Sequence, residues 1–154
     1  VAVRVDPGDG HAGLAVRLDE AHHYDLEIGG GAVEVFARIG PLCQRVARRP
    51  VPPGPLTLAV DVRTTGLLPP SVTDAAHPAD GPAGVGANGP DTIVFSVGAE
   101  GAGPDEIARL DGRYLSTQVA TGFTGRVIGM YVTEGSAAFD WFDYRPAATA
   151  VAGV

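Results

Sequence analysis

A chain of 154 residues, 45% hydrophobic and 19% charged, is long enough for one buried core, and its 22 Gly and 13 Pro describe a turn-rich, mainly β chain. All basic residues are Arg, and the excess of carboxylates leaves a formal net charge of −7, which argues against nucleic acid as a partner. The single cysteine, Cys43, excludes an intrachain disulfide and a thiolate-rich metal site.

The chain opens without Met and already inside an alternating run, Val1-Ala2-Val3-Arg4-Val5, and reads as cut from something larger. No signal peptide opens it, and no run of about 18 apolar residues is present to cross a membrane. Asp6 to His11 is a turn: it superficially resembles a calcium loop but lacks the later oxygen ligands and bidentate Glu of an EF-hand. A structural calcium held by scattered loop carboxylates stays open; no other cofactor is expected.

Period-two alternation then predicts antiparallel strands with one wet face. Leu14, Val16 and Leu18 point inward and Arg17 outward; after the Asp19-Glu20-Ala21 turn, Tyr24, Leu26 and Ile28 point inward and His23, Asp25 and Glu27 outward. Adjacent His22 and His23 fall on opposite faces and cannot share a metal, one stacking and the other facing solvent. Gly29-Gly30-Gly31 reverses the chain, and the next run sets Val33, Val35 and Ala37 against Glu34, Phe36 and Arg38. Gly40-Pro41 turns into a fourth run, Leu42 to Val46, which completes a meander and carries Cys43 as a buried, inert thiol.

Arg48 to Pro55 holds four prolines in eight residues and reads as a crossing loop, with Arg45, Arg48 and Arg49 as a solvated cluster. Leu56, Leu58, Val60 and Val62 restore the alternation; residues 64–90 form a long Pro/Gly-rich loop, read as disordered. Ile93, Phe95 and Val97 mark a strand, Glu106 to Leu110 a short one, and Tyr114 to Ala120 a connection. A glycine-bounded turn, Gly122-Phe123-Thr124-Gly125, leads into a closing hairpin whose last strand sets Phe139 and Trp141 on one face and Phe142 and Tyr144 on the other. About ten strands without a helix give an all-β sandwich over residues 1–146, with 147–154 as a tail.

Signals for chemistry within the chain are weak. No Gly-x-Ser-x-Gly elbow occurs, and Gly29-Gly30-Gly31 lacks the helix that a phosphate loop requires. Asp140 and Asp143 have aromatic neighbours suited to sugars, but residues three apart on a regular strand face opposite ways and cannot flank one glycosidic bond. Arg17, His23, Asp25, Glu27, Glu34, Phe36 and Arg38 share one sheet face, a solvated surface or a sugar-facing groove.

Five pieces in order carry a resemblance: Ala12-Gly13-Leu14-Ala15-Val16-Arg17-Leu18-Asp19-Glu20 with His22-His23-Tyr24, Ala37-Arg38-Ile39-Gly40, Leu110 to Thr117, Gly122-Phe123-Thr124-Gly125, and Phe139-Asp140-Trp141-Phe142. With them the chain resembles the C-terminal concanavalin A-like domain of family 43 glycoside hydrolases, the β-xylosidases and arabinofuranosidases. The resemblance implies a jelly-roll sandwich of two antiparallel sheets whose catalytic acids sit on an N-terminal five-bladed propeller, so this chain would be inert alone. It implies that Phe123, with Gly122 and Thr124, forms an aromatic wall beside that propeller's pocket, the partners being the propeller and, through it, xylo- or arabino-oligosaccharides. Relative to the family pattern the first strands precede Val1, leaving a sheet edge open to pairing with another copy. Family habit and the lone cysteine point to the cytoplasm. The competing expectation is an independent lectin-like module using the Arg17 to Arg38 face.

Overall fold

The computed structural model describes residues 1–64, 91–99 and 101–146; the expected 64–90 loop, apart from Thr64, and the 147–154 tail lie outside them. Ten strands follow in chain order: β1 (Ala2–Asp6), β2 (His11–Arg17), β3 (His22–Gly29), β4 (Ala32–Ile39), β5 (Leu42–Pro50), β6 (Leu56–Thr64), β7 (Asp91–Gly98), β8 (Asp105–Asp111), β9 (Val127–Glu134) and β10 (Ala138–Asp143). They form two sheets of five, ordered β10-β1-β6-β7-β8 and β5-β4-β3-β2-β9, with antiparallel neighbours throughout. The two-sheet sandwich expected from the alternation is what forms.

The alternating residues meet between the sheets. Leu14, Leu26, Val33 and Val35 from the second sheet pack with Val3, Leu58, Ile93 and Phe95 from the first, all fully buried. Each such side chain contributes about 1.5–3 kcal/mol relative to exposure. Tyr24 meets Phe95 edge-on, ring centroids 6.4 Å apart. The meander β2-β3-β4-β5 is as expected, and Gly30 and Gly31, at φ 56° and 75°, supply the two left-handed positions of the tight β3–β4 turn.

Four features differ from expectation. β9 and β10 are not a hairpin: β9 pairs with β2 in one sheet and β10 with β1 in the other. The segment between them crosses the sandwich beside the β1–β2 crossing, where the Asp9 carboxylate accepts hydrogen bonds from Ser136 N (3.3 Å) and Ser136 Oγ (3.1 Å). The two crossings brace each other, which a hairpin would not need.

Second, Arg48 to Pro50 do not begin a loop. β5 continues to Pro50, which sits opposite Ala32 at the end of an edge strand, where no outer neighbour needs its missing N–H. Third, Cys43 lies on this edge opposite Arg38 and is exposed, not buried, because the outward face of an edge strand has no layer above it.

Fourth, β10 carries a bulge. Val3 opposes Phe142 and Val5 opposes Phe139, so Asp140 is the extra residue, and Phe139 and Phe142 both face inward while Trp141 faces out beside Arg4. The simple alternation of rings is therefore broken. The same bulge puts Asp140 and Asp143 on the outer face together, each engaged with an arginine: Asp140 with Arg4 at 3.7 Å and Asp143 with Arg145 at 2.7 Å.

Glycines in neighbouring strands differ sharply in what surrounds them. A Cβ on Gly13 would fall 1.9 Å from Leu26 O and 3.0 Å from Glu27 Cα, whereas one on Gly129 meets nothing within 4 Å. Thermal unfolding should therefore show Gly13→Ala destabilised by roughly 2–3 kcal/mol, the range of a backbone clash in a core, and Gly129→Ala neutral or slightly stabilised. Equal melting points for the two variants would contradict the close β2–β3 approach.

Candidate functional site

The turn bearing Phe123 is built outward from the core. Tyr24, whose ring is buried, sends its hydroxyl across the sandwich to donate to Asp111 O at 2.7 Å. Burial raises the phenol pKa above its ordinary value of 10, with the Asp111 carboxylate and Tyr114 adding to it, so the group stays a protonated donor. Asp111 in turn caps the 3-10 turn Gly112–Leu115, its Oδ1 accepting from Arg113 N at 2.9 Å, and Leu115 returns to the core fully buried. A one-turn helix, α1 (Thr117–Ala120), follows; it and the 3-10 turn are the only departures from the strand-only expectation among the described residues.

The chain then enters Thr121 at φ 60° and Gly122 at φ 105°, a backbone that only glycine adopts freely at the second position. The consequence is that Phe123 points fully into solvent. Beyond Thr124 and Gly125 the chain is pinned again: Arg126 donates through Nη2 to the Asp91 carboxylate, and its Nη1 lies so close to Gly112 that a Cβ there would sit 2.9 Å away. Phe123 is thus the apex of a short arch with both feet fixed. The Arg126–Asp91 foot escaped the sequence reading, since residues 35 apart gave no local signal of pairing.

The seven residues expected to share a face do so. Cross-strand pairs Arg17–His23–Arg38, Asp25–Phe36 and Glu27–Glu34 run in rows over the outside of the second sheet. Most are already engaged. Glu34 is held by Arg45 (2.8 Å) and Arg48 (2.9 Å), so this arginine cluster lies on a paired strand and not in a solvated loop. Arg17 pairs with Glu20. His23 Nδ1 lies 2.7 Å from Asp25 Oδ2, and His22 Nδ1 lies 2.9 Å from Asp19 Oδ1. Both rings are therefore carboxylate-bound; neither follows the expected split into a stacked and a solvent-facing ring.

Three members of this face were missed. Tyr131, opposite Gly13, reaches over the empty glycine position to Glu27 Oε2 at 3.3 Å, where Thr133 Oγ1 also donates at 3.3 Å. His11 Nδ1 approaches the other oxygen of Glu27 at 3.1 Å. A strand after Gly125 was legible, but its pairing with β2 was not, and only that pairing brings Tyr131 to this face. Burial pushes the Asp25 carboxyl above its ordinary value, the charge of His23 opposing the shift; burial and the Asp25 and Glu27 carboxylates raise the Tyr131 phenol.

The turn at Asp6 uses its own oxygens. Asp6 Oδ1 accepts from Gly8 N at 3.1 Å, and Gly10 N donates to Pro7 O at 2.8 Å. Among the described residues no group of three or more His, Cys, Asp or Glu could hold a metal ion. A cavity of about 390 Å³ opens at one end of the sandwich, between Val16, Ile128 and Arg126 on one side and Val1, Val60 and Phe142 on the other.

Two outcomes follow from this geometry. Tyr24→Phe should cost about 1 kcal/mol, the worth of one hydrogen bond, and should speed amide exchange across residues 112–126 before the rest of the sheets; uniform exchange would detach the arch from Tyr24. For Asp25, a raised folded-state pKa means the folded protein holds the proton more tightly than the unfolded chain, so stability is lost as pH rises past the ordinary value of 3.8. Urea unfolding of Asp25→Asn should accordingly show a stability difference that moves in the variant's favour from acid to neutral pH; a pH-independent difference would contradict the shift.

Comparison with known proteins bears on the fold. Residues 85–145 match the family model described as the beta xylosidase C-terminal concanavalin A-like domain. No curated protein matches the chain. Among solved structures, the chain is similar to a GH43B of a xyloglucan utilisation locus from Bacteroides ovatus, at 24% identity and TM-score 0.67, over 94% of this chain and 26% of that one. A GH43 protein from Bacillus licheniformis gives 16% identity and TM-score 0.60 over 91% of this chain and 26% of its own. A xylan beta-1,4-xylosidase from Bacillus halodurans C-125 gives 17% identity and TM-score 0.59 over 90% and 26%. The chain therefore spans about a quarter of the length of these structures, and the likeness to them shows the fold. The fold and the match over residues 85–145, which contains the whole Phe123 arch, bear out the resemblance to the C-terminal concanavalin A-like domain of family 43 β-xylosidases.

Proposed function

We propose that the chain is the accessory, non-catalytic sandwich of a family 43 glycoside hydrolase of the β-xylosidase or α-arabinofuranosidase type, acting in xylan breakdown in the cytoplasm. In this reading it stabilises an N-terminal catalytic propeller and presents Phe123, between Gly122 and Thr124, as an aromatic wall of that domain's pocket. The observation that carries it is a fully exposed phenylalanine on an arch fixed at both feet, inside the segment that matches the family. A solvated ring has no stabilising role in an isolated sandwich, and holding it rigidly outward suits an apolar surface that becomes buried on docking. Against a sugar, the ring excludes water and stacks without demanding hydrogen bonds of its own.

Nothing in the chemistry of the described residues calls for catalysis within the chain. Glycoside hydrolysis needs two carboxyls around one bond, one of them free to donate a proton. Asp140 and Asp143 share a face but each meets a neighbouring arginine, and Asp25 and Glu27 are tied to His23, His11, Tyr131 and Thr133. The half-buried network around Asp25 and Glu27 favours one second reading, an independent lectin-like module binding sugar on the outside of the second sheet.

Calorimetric titration of the chain with xylo-oligosaccharides separates the two: silence supports the accessory role, and saturable binding at submillimolar concentration supports the lectin-like module. In the enzyme carrying both domains, Phe123→Ala should lower kcat/KM on xylosides about tenfold, equivalent to ~1.4 kcal/mol of transition-state stabilisation. The same substitution in the isolated chain should leave stability within about 0.5 kcal/mol, as for any exposed side chain. Unchanged kinetics would remove Phe123 from the pocket.

A further inference from the structure

Four residues, Gly122 to Gly125, carry the Phe123 arch, and a local penalty sits at each end of it. At the entry, Thr121 holds φ 60° and ψ 161°, a backbone region that glycine populates and that is disfavoured for a β-branched residue. At the exit, Arg126 Nη1 is buried with no hydrogen-bond acceptor among the described residues, which is destabilising by itself. Stability alone would select neither. Two such departures bracketing one exposed ring mark a geometry that is kept in spite of its local cost.

The arch has no tie of its own. Among the described residues Gly122 to Gly125 make no hydrogen bond, so the position of the ring is set entirely from the two ends. Those ends meet at the Arg126 guanidinium. Its Nη2 donates to the carboxylate of Asp91, the first residue of β7. A Cβ on the buried Gly112, where the entering foot begins, would fall 2.9 Å from Arg126 Nη1, 2.9 Å from Asp91 Cβ and 2.7 Å from Asp91 O. Glycine at 112 is therefore what lets the ion pair close onto the entering foot, and Arg126 grips that foot as well as its own. With the two side chains only 28% and 18% exposed, the pair is screened less than one standing in open solvent.

We propose that Arg126 is the positioning residue for the wall assigned to Phe123: by clasping Asp91 and the Gly112 turn together, its guanidinium fixes where the ring stands against the catalytic domain's pocket. The inference rests on that reading of Phe123. Without the clasp the ring would be free to lie back on the sandwich itself, where Tyr114 and Val119 in the same connection are 43% and 44% exposed, since covering them removes apolar surface from water. A ring that has settled there is lost to the pocket until it lifts off again. Lysine is a poor substitute, because its single ammonium can reach Asp91 but has no second nitrogen to set against Gly112.

Backbone nitrogen relaxation on the chain, with kinetics on xylosides for the enzyme carrying both domains, tests it. Order parameters across residues 122–125 should stand at about 0.85, the value of rigid backbone, and fall below about 0.6 in Arg126→Ala while those of β2 and β3 do not move. Arg126→Ala should lower kcat/KM about tenfold, to the level of Phe123→Ala, and should lower it no further when added to Phe123→Ala, because nothing is then left to position. Arg126→Lys should recover part of the loss, ending about threefold below wild type. An arginine with a merely structural role would instead multiply its loss onto that of Phe123→Ala. Such multiplication, unchanged order parameters, or an unchanged kcat/KM in Arg126→Ala beside a lowered one in Phe123→Ala would each overturn the proposal. If Phe123→Ala is itself silent, the pocket-wall reading falls, and the order parameters alone decide whether Arg126 holds the arch. Should Arg126→Ala fail to fold, the same comparisons on Arg126→Lys decide.

Discussion

Tyr24 is the point where the core and the surface arch become one structure. Its ring packs edge-on against Phe95 between the sheets, and its hydroxyl reaches Asp111 O just where the chain leaves β8. Loss of either half would have a different effect. Without the ring the sheets lose one of their largest buried side chains; without the hydroxyl the carbonyl that starts the 3-10 turn loses its donor, although the sheets still pack. Everything from Gly112 to Arg126 hangs between that hydrogen bond and the Arg126–Asp91 ion pair, so Phe123 is held outward by contacts made far from it.

Much of the fold was legible because a period of two is a direct imprint of burial. The residues that alternation assigned inward on β2, β3, β4, β6 and β7 all lie in the core except the half-buried Ala37 and Val62. What alternation cannot report is which strand lies beside which. The β9–β10 connection looked like a hairpin since short turns usually join neighbours, but here a few residues cross between sheets. Nor can it reveal a bulge, which reverses the phase beyond Asp140 and brought Phe142 inward. Cys43 and Pro50 misled for a related reason: on an interior strand one would be buried and the other excluded, and only the sheet order shows that β5 is an edge.

The candidate site divides along the same line. The outer face of the second sheet could be listed correctly from parity alone, yet its electrostatics depend on Tyr131, Thr133 and His11 converging on Glu27, contacts that span more than 100 residues for the first two. The exposure of Phe123 was not legible from its flanking glycines, which serve a buried turn equally well. It was the resemblance to known domains that pointed outward, and the positive φ values at Thr121 and Gly122 give the physical means.

The bracing of the two crossings has a consequence for how the chain acquires its shape. Asp9 and Ser136 are 127 residues apart, and β1 completes its pairing only with β10, the last strand among the described residues. Such distant partners give a high contact order, with a large loop-closure entropy to overcome before the pairing contributes anything. During synthesis β1 leaves the ribosome with neither β6 nor β10 yet made, so its pairing can be completed only after β10 emerges.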